Sequence, residues 1–267
     1  MRRHAFIVVS ALVFAASSAA TVAGCLSMAG MAEVPMAGGW RMSAAWLPMC
    51  GQGWVSAALS FVGMWMVMML AMMLPSMAPL LWRQGVSPGS AGAAGLGGSR
   101  AAAGALGRML STGAGYLFVW TMLGLSVFVL GAGLVQAAMR WPSLARAVPL
   151  AIGPVVLLAG AAQFSTWKAR RLACIGHAAA NAGTCAGHAS AAWQHGVRLG
   201  LHCCQSCAGL TAVLLVMGVM DWRAMAAVTV AVTAERLAPN GLRVAKLIGV
   251  VLIGAGLAVL ASIALAQ

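Results

Sequence analysis

Charge is scarce in this sequence: 7% of its 267 residues are Asp, Glu, Lys or Arg, and only three are acids. Soluble domains carry about 25% charged and about 45–50% apolar residues, whereas this chain is 62% apolar. A soluble globular protein is excluded. The lack of acids also makes the chain ill suited to proton coupling, since intramembrane relays are built from ionisable groups. The 16 Lys and Arg leave a net charge of +13, which in a polar chain would point to nucleic acid. In an apolar chain basic residues sit in loops that fix orientation, so no nucleic-acid partner is expected. The Cys-x-x-Cys-His signature of haem attachment is missing, and Cys204 to Cys207, the one Cys-x-x-Cys spacing, lacks a thioredoxin-like setting. Seven Cys and five His remain as the main groups able to do chemistry.

A membrane-spanning helix needs about 20 mostly apolar residues, and the chain offers a series of such runs. They lie at Ala5 to Gly30, Trp54 to Trp82, Leu110 to Ala138, Val148 to Trp167, Cys203 to Met220, Trp222 to Leu237 and Leu247 to Ala266. Val22-Ala23-Gly24-Cys25 has the form of a lipoprotein cleavage site, but the apolar stretch continues past it, so a retained first helix with an unmodified Cys25 is expected. Residues 83 to 108 are almost entirely Gly, Ala, Ser, Pro and Arg and read as a flexible linker. Asp221 would be costly within a span but suits an N-cap opening a helix at Trp222, so 203 to 237 is expected to form a hairpin. With the N-terminus in the cytoplasm, this places twelve of the sixteen basic residues inside and leaves Arg41, Arg140, Arg146 and Arg223 outside. The expected fold is an all-α polytopic integral membrane helical bundle of about seven transmembrane helices. Residues 1–53 form the first helix and a Met-rich outer loop, 54–240 the core, and 241–267 the last helix.

The densest reactive cluster is His202-Cys203-Cys204-Gln205-Ser206-Cys207, expected at the cytoplasmic start of the fifth helix. Cys203 and Cys207 stand at i and i+4, and Cys204 and Cys207 at i and i+3, which on a helix brings sulfurs to one face. A helix N-terminus favours thiolates, and thiolates suit Cu(I) first and Zn(II) second. If the hairpin forms, Glu235 returns to the level of these cysteines and joins His202 as a candidate ligand or partner; its alternative is an interfacial acid paired with Arg236 or Arg243. Secondary candidates are Cys174 and His177, part of two short pairs with Cys185 and His188 in a loop expected from Lys168 to Leu201. Lys168, Arg170 and Arg171 read as an interfacial anchor.

The second run carries Met64, Met68 and Met72 in one stripe and Met66, Met69, Met73 and Met77 in another. Thioethers ligate Cu(I), which makes Met68, Met72 and Met73 further candidates, although Met is also the usual filler of apolar interfaces. Pro75 and Pro79 are expected to break this helix near the inner face. Met28, Met31, Met36, Met42, Met49 and Cys50 lie in or beside the outer loop and suit copper capture.

At these residues the chain resembles an uncharacterised bacterial family of predicted metal-binding integral membrane proteins, sometimes labelled copper chaperones. The resemblance runs from about residue 54 to 240. It rests on Met64-Trp65 through Met72-Met73-Leu74-Pro75-Ser76 with Pro79, on Trp167-Lys168-Ala169-Arg170-Arg171 with Cys174, and on Gly200 to Cys207 followed by Met217 to Asp221 and Glu235-Arg236-Leu237. It implies a metal-binding role. The resulting expectation is a non-enzymatic protein of the bacterial inner membrane that handles copper(I) at a cytoplasmic-face Cys cluster. Its partners would be the lipid bilayer, the metal ion and a metal-donor or acceptor protein. A metal transporter, a thiol redox protein and a purely structural subunit are the alternatives.

Overall fold

The computed structural model describes residues 2–29, 34–35, 41–42, 46–48, 51–85, 98–180, 189–218, 221–238 and 240–265. Eight helices account for nearly all of them: α1 (Arg2–Ala29), α2 (Trp54–Gly85), α3 (Gly98–Arg140), α4 (Pro142–Ala162), α5 (Thr166–Ala180), α6 (Ala189–Met217), α7 (Trp222–Leu237) and α8 (Gly241–Leu265). Two short strands, β1 (Val34–Pro35) and β2 (Arg41–Met42), pair antiparallel between α1 and α2.

Six of the helices, α1, α2, α3, α4, α6 and α8, are long and apolar enough to cross a membrane, and the chain is a multi-pass membrane protein. Its outer surface carries large apolar side chains such as Leu12, Val55, Leu130, Leu158 and Val251, the arrangement that lipid rather than water permits. Helix α7 has 16 residues, or about 24 Å, short of the roughly 30 Å hydrocarbon thickness.

Several boundaries differ from the sequence expectation. Helix α2 runs unbroken through Pro75 and Pro79 to Gly85, because surrounding helices can tolerate a proline's missing donor within a bundle. Residues 98–108, expected in a linker, form the first turns of α3; Ala, Ser and Arg there are compatible with a helix, and the Gly residues are not numerous enough to stop it. Helix α4 starts at Pro142 rather than Val148, with proline at its first position and Trp141 as its N-cap, a site where the missing N–H costs nothing. The loop expected from 168 to 201 is largely helical, divided between α5 and α6. The break at Asp221 is as expected: its carboxylate accepts from Arg223 N at 2.8 Å and caps α7. Gly218, just before it, has φ +121°, a conformation that L side chains rarely adopt, and so fixes the end of α6.

Small residues set the helix directions. A Cβ at Gly196 would strike the Thr112 carbonyl, one at Gly115 would come within 2.5 Å of Trp193 O, and one at Gly200 within 3.1 Å of Tyr116 O. Positions that rise together along α3 and α6 therefore touch, and the two helices run parallel in close contact, as small-residue interfaces allow. Gly153 of α4 meets Leu260 of α8 and Gly160 meets Ile253, so that pair is antiparallel. The core lies among α2, α3, α6 and α7. Trp65 and Trp120 are fully enclosed there, and Trp65 Nε1 donates to Trp120 O at 3.1 Å, which satisfies an indole that would otherwise be a buried orphan. Phe61 stacks beside Trp65 at 6.0 Å and tilts against Phe128 at 5.4 Å. Met68, Met69, Met72 and Met73 belong to the same buried core as these rings and the α6 residues Leu199, Cys203 and Cys207.

Candidate metal site

Cys203 and Cys207 lie on one face of α6 and are almost wholly buried, at 1% and 2% exposure. Their i, i+4 relation is the expected one, but their place on the helix is not. Since α6 begins at Ala189, they sit about four turns inside it, beyond reach of the helix-end electrostatics, which fade within the first turn. Gly196 and Gly200, ahead of the cluster, are points where α3 approaches, and the helix continues through them.

Four elements bring side chains to the two thiols. From α3, Tyr116 shares a hydrogen bond of 2.9 Å with Cys203 Sγ. From α2, the Met73 Sδ lies 3.8 Å from the same sulfur. From α7, one guanidinium nitrogen of Arg236 donates to Cys203 Sγ at 2.9 Å, to Cys207 Sγ at 3.2 Å and to Ser206 Oγ at 3.3 Å. Both sulfurs thus converge on one nitrogen. Within α6, Ser206 Oγ also donates to Cys203 O at 2.8 Å and lies 3.7 Å from Cys207 Sγ.

Beside this group, Lys168 and Glu235 form a buried ion pair in which the ammonium reaches Oε1 at 2.9 Å and Oε2 at 2.8 Å. Both residues are 4% exposed, and Lys168 also donates to Gln163 Oε1. Lys168 is therefore not the interfacial anchor that its neighbours Arg170 and Arg171 suggested. A buried charge without a partner would be far more costly than one held in this way. Glu235 does return to the level of the cysteines, its carboxylate is held by Lys168, and the residue that meets the thiols is the next one along, Arg236.

The other candidates fall elsewhere. His202 Nδ1 lies 3.1 Å from Arg171 Nη1; a guanidinium only donates, so Nδ1 accepts and is engaged by Arg171. Cys204 is half-buried, one residue and about 100° around the helix from Cys203. Cys174 is exposed on α5. His177 belongs to the same helix, although its side chain is outside the described set. Cys185 and His188, like Met31, Met36, Met49 and Cys50, lie outside the described residues. Met68 and Met72 are buried in the core that contains the thiols.

Tyr116 is not singled out by the sequence, and Arg236 and Lys168 read from it only as a partner of Glu235 and as an interfacial anchor. The signal for Arg236 was its position after Glu235 on a returning helix, and for Tyr116 its standing as the one tyrosine in the chain. Among the described residues no three His, Cys, Asp or Glu side chains gather into a metal cage, so a zinc-like site of four such ligands is not formed by them. What the helices assemble is two thiols with a thioether beside them, a soft donor set. Neither the curated proteins nor the solved structures contain a match to this chain. A family model described as PpoB2, copper chaperone, matches residues 62–259, a stretch that includes every side chain of the sulfur site, and the chain belongs to that copper chaperone family.

Proposed function

We propose that the protein binds copper(I) as cargo between Cys203 and Cys207, with Met73 as a third, thioether ligand, and passes it to or from a partner protein. The observation that carries this reading is the convergence of both thiols on one Arg236 nitrogen with the Met73 sulfur 3.8 Å from Cys203. Two thiolates and a thioether suit Cu(I), which accepts few, soft ligands, whereas Zn(II) takes four ligands and does not favour thioethers. Glu235 and His202, held by Lys168 and Arg171, act around the site rather than on the metal. The protein resides in a bacterial inner membrane with its N-terminus in the cytoplasm, and it carries copper without catalysing a reaction.

Metal analysis and Cu(I) competition on the full-length protein in detergent test the reading. Cys203→Ser and Cys207→Ser should each abolish tight binding, Met73→Leu should weaken it, and Cys185→Ser should leave it intact. Undiminished binding after Cys207→Ser would remove the site from consideration. A permease is the second reading, favoured by the buried thioethers of Met68, Met69 and Met72 on the helix that bears Met73. Copper uptake by sealed proteoliposomes containing only this protein would select it over a carrier that releases copper to another protein.

A further inference from the structure

Trp65 and Trp120 are both fully enclosed in the core, but only one of the two indoles has its N–H matched. Trp65 Nε1 donates to Trp120 O, whereas Trp120 Nε1 meets no acceptor among the described residues. A buried donor left in this way is destabilising, and it marks a place where an acceptor is wanted. The neighbourhood is that of the thiols. Trp120 stands one turn along α3 from Tyr116, the two rings are 6.4 Å apart, and Tyr116 touches Cys203 Sγ. Cys207 stands one turn along α6 from Cys203, and because the two helices run parallel, the step from Tyr116 to Trp120 follows the step from Cys203 to Cys207. Trp120, both cysteines, Met69 and Met73 belong to one buried cluster. We propose that Trp120 is a positioning residue for the cargo, its indole N–H being the donor that the Cys207 sulfur engages once that sulfur is a metal-bound thiolate. The inference rests on the reading of Cys203 and Cys207 as ligands and adds to it a group that favours the loaded form.

The hydrogen bonds of Ser206 show why Cys207 needs such a donor. The single hydroxyl proton of Ser206 goes to Cys203 O at 2.8 Å, so in its 3.7 Å contact with Cys207 Sγ the serine oxygen accepts and the thiol donates. Metal binding takes that proton from the sulfur to solvent, and the contact with Ser206 is lost with it. The sulfur then has lone pairs in place of a donor, and a hydrogen bond to an ionised acceptor is about twice as strong as a neutral one. An indole N–H only donates, while a thiol sulfur is a weak acceptor. Trp120 therefore gains little from Cys207 as a thiol and a full hydrogen bond from it as a thiolate. Hydrogen bonds of this kind orient a ligand atom and raise the affinity of the metal it holds. Cys203 is already served by Tyr116 at 2.9 Å, which leaves Cys207 as the sulfur for Trp120.

Nuclear magnetic resonance of the full-length protein in detergent, isotope-labelled at its indole nitrogens, tests this with Ag(I) as a redox-inert stand-in for Cu(I). The Trp120 N–H signal, identified by its disappearance in Trp120→Phe, should move downfield when Ag(I) is added, the direction that a strengthened hydrogen bond gives. The Trp65 signal, whose proton is already bonded, should move little, and neither should move in Cys203→Ser/Cys207→Ser. Ag(I) affinity should fall by about tenfold or more in Trp120→Phe and by less in Trp65→Phe, which removes the same volume from the same core. A Trp120 signal that stays in place while Ag(I) binds in a Cys203- and Cys207-dependent way, or an equal fall of affinity in the two variants, would overturn the role of the indole and leave the sulfur site standing. Should Trp120→Phe fail to fold, the wild type decides, because the absence of any indole proton moving downfield with Ag(I) overturns it equally. If Ag(I) does not bind the wild type in a Cys203- and Cys207-dependent way, the sulfur site itself falls, and this inference with it.

Discussion

Tyr116 and Cys203 meet at 2.9 Å although 87 residues separate them, and the contact joins α3 to α6 at the level of the proposed ligands. Both are almost wholly buried, so the phenol has no water to fall back on. Tyr116→Phe removes one hydrogen bond and little volume. Stability should fall by about 1 kcal/mol, and Cu(I) affinity should change by less than tenfold, since the phenol touches the sulfur without being one of the three soft donors. Competition with a chromogenic Cu(I) chelator checks this. A complete loss of binding would make Tyr116 part of the metal site rather than a group that positions Cys203.

The buried Lys168–Glu235 pair predicts a particular pattern of non-additivity. Lys168→Met leaves a carboxylate buried without its partner, and Glu235→Gln does the same to the ammonium; each should destabilise by about 3–5 kcal/mol. The double variant removes both charges and should be more stable than either single one. Thermal unfolding in detergent reads all three. Additive losses would mean that the two residues act independently despite their contacts.

Gly196 is where α3 and α6 come closest, and the atom an added methyl would strike, Thr112 O, belongs to the backbone. Backbone cannot rotate aside as a side chain can, so Gly196→Ala should push the helices apart at a cost of about 1–3 kcal/mol. Tyr116 lies one turn beyond Thr112, and its contact with Cys203 would lengthen with that movement, weakening Cu(I) binding as well. Gly63, with open space at its Cβ position, is the control: Gly63→Ala should leave both stability and binding near wild type.

Long apolar runs made most of the spans legible in the sequence, because a membrane imposes length and composition directly. The cap at Asp221 was legible for the same reason, an acid having few tolerable places in such a chain. Helix starts were not, since Ala-rich and Gly-containing stretches such as 189–202 have no distinct signal and form helix here through packing against α3. The site was half legible. The i, i+4 thiols follow from local spacing, whereas Arg236 and Tyr116 reach them only through tertiary contacts from α7 and α3, and Lys168 joins the group only through Glu235. Lys168 shows the difficulty most plainly: next to Arg170 and Arg171 it looks like a surface charge, and only the position of Glu235, 67 residues away, identifies it as an interior one.

The directions of the helices predict seven crossings, although among the described residues six helices meet the length and composition of a span. Helix α3 reverses into α4 at Trp141, the single residue between them. Helix α8 is antiparallel to α4 through the Gly153–Leu260 and Gly160–Ile253 approaches, and therefore parallel to α3. Helix α6 is parallel to α3 through Gly196 and Gly200. Two successive helices, α6 and α8, thus point the same way, and α7 has to carry the chain back between them. Its 16 residues are too few for a lipid-exposed span of about 20, but Met225, Val228, Val232 and Glu235 are buried within the bundle, where protein rather than lipid sets the length needed. With the N-terminus in the cytoplasm, reporters fused after Gly97 and after Asn240 should both signal cytoplasm, and those after Asp221 and Gln267 the outside. An outside signal at Asn240 together with a cytoplasmic one at Gln267 would mean that α7 does not return, and that Arg236 cannot reach the thiols from the side on which α7 now brings it.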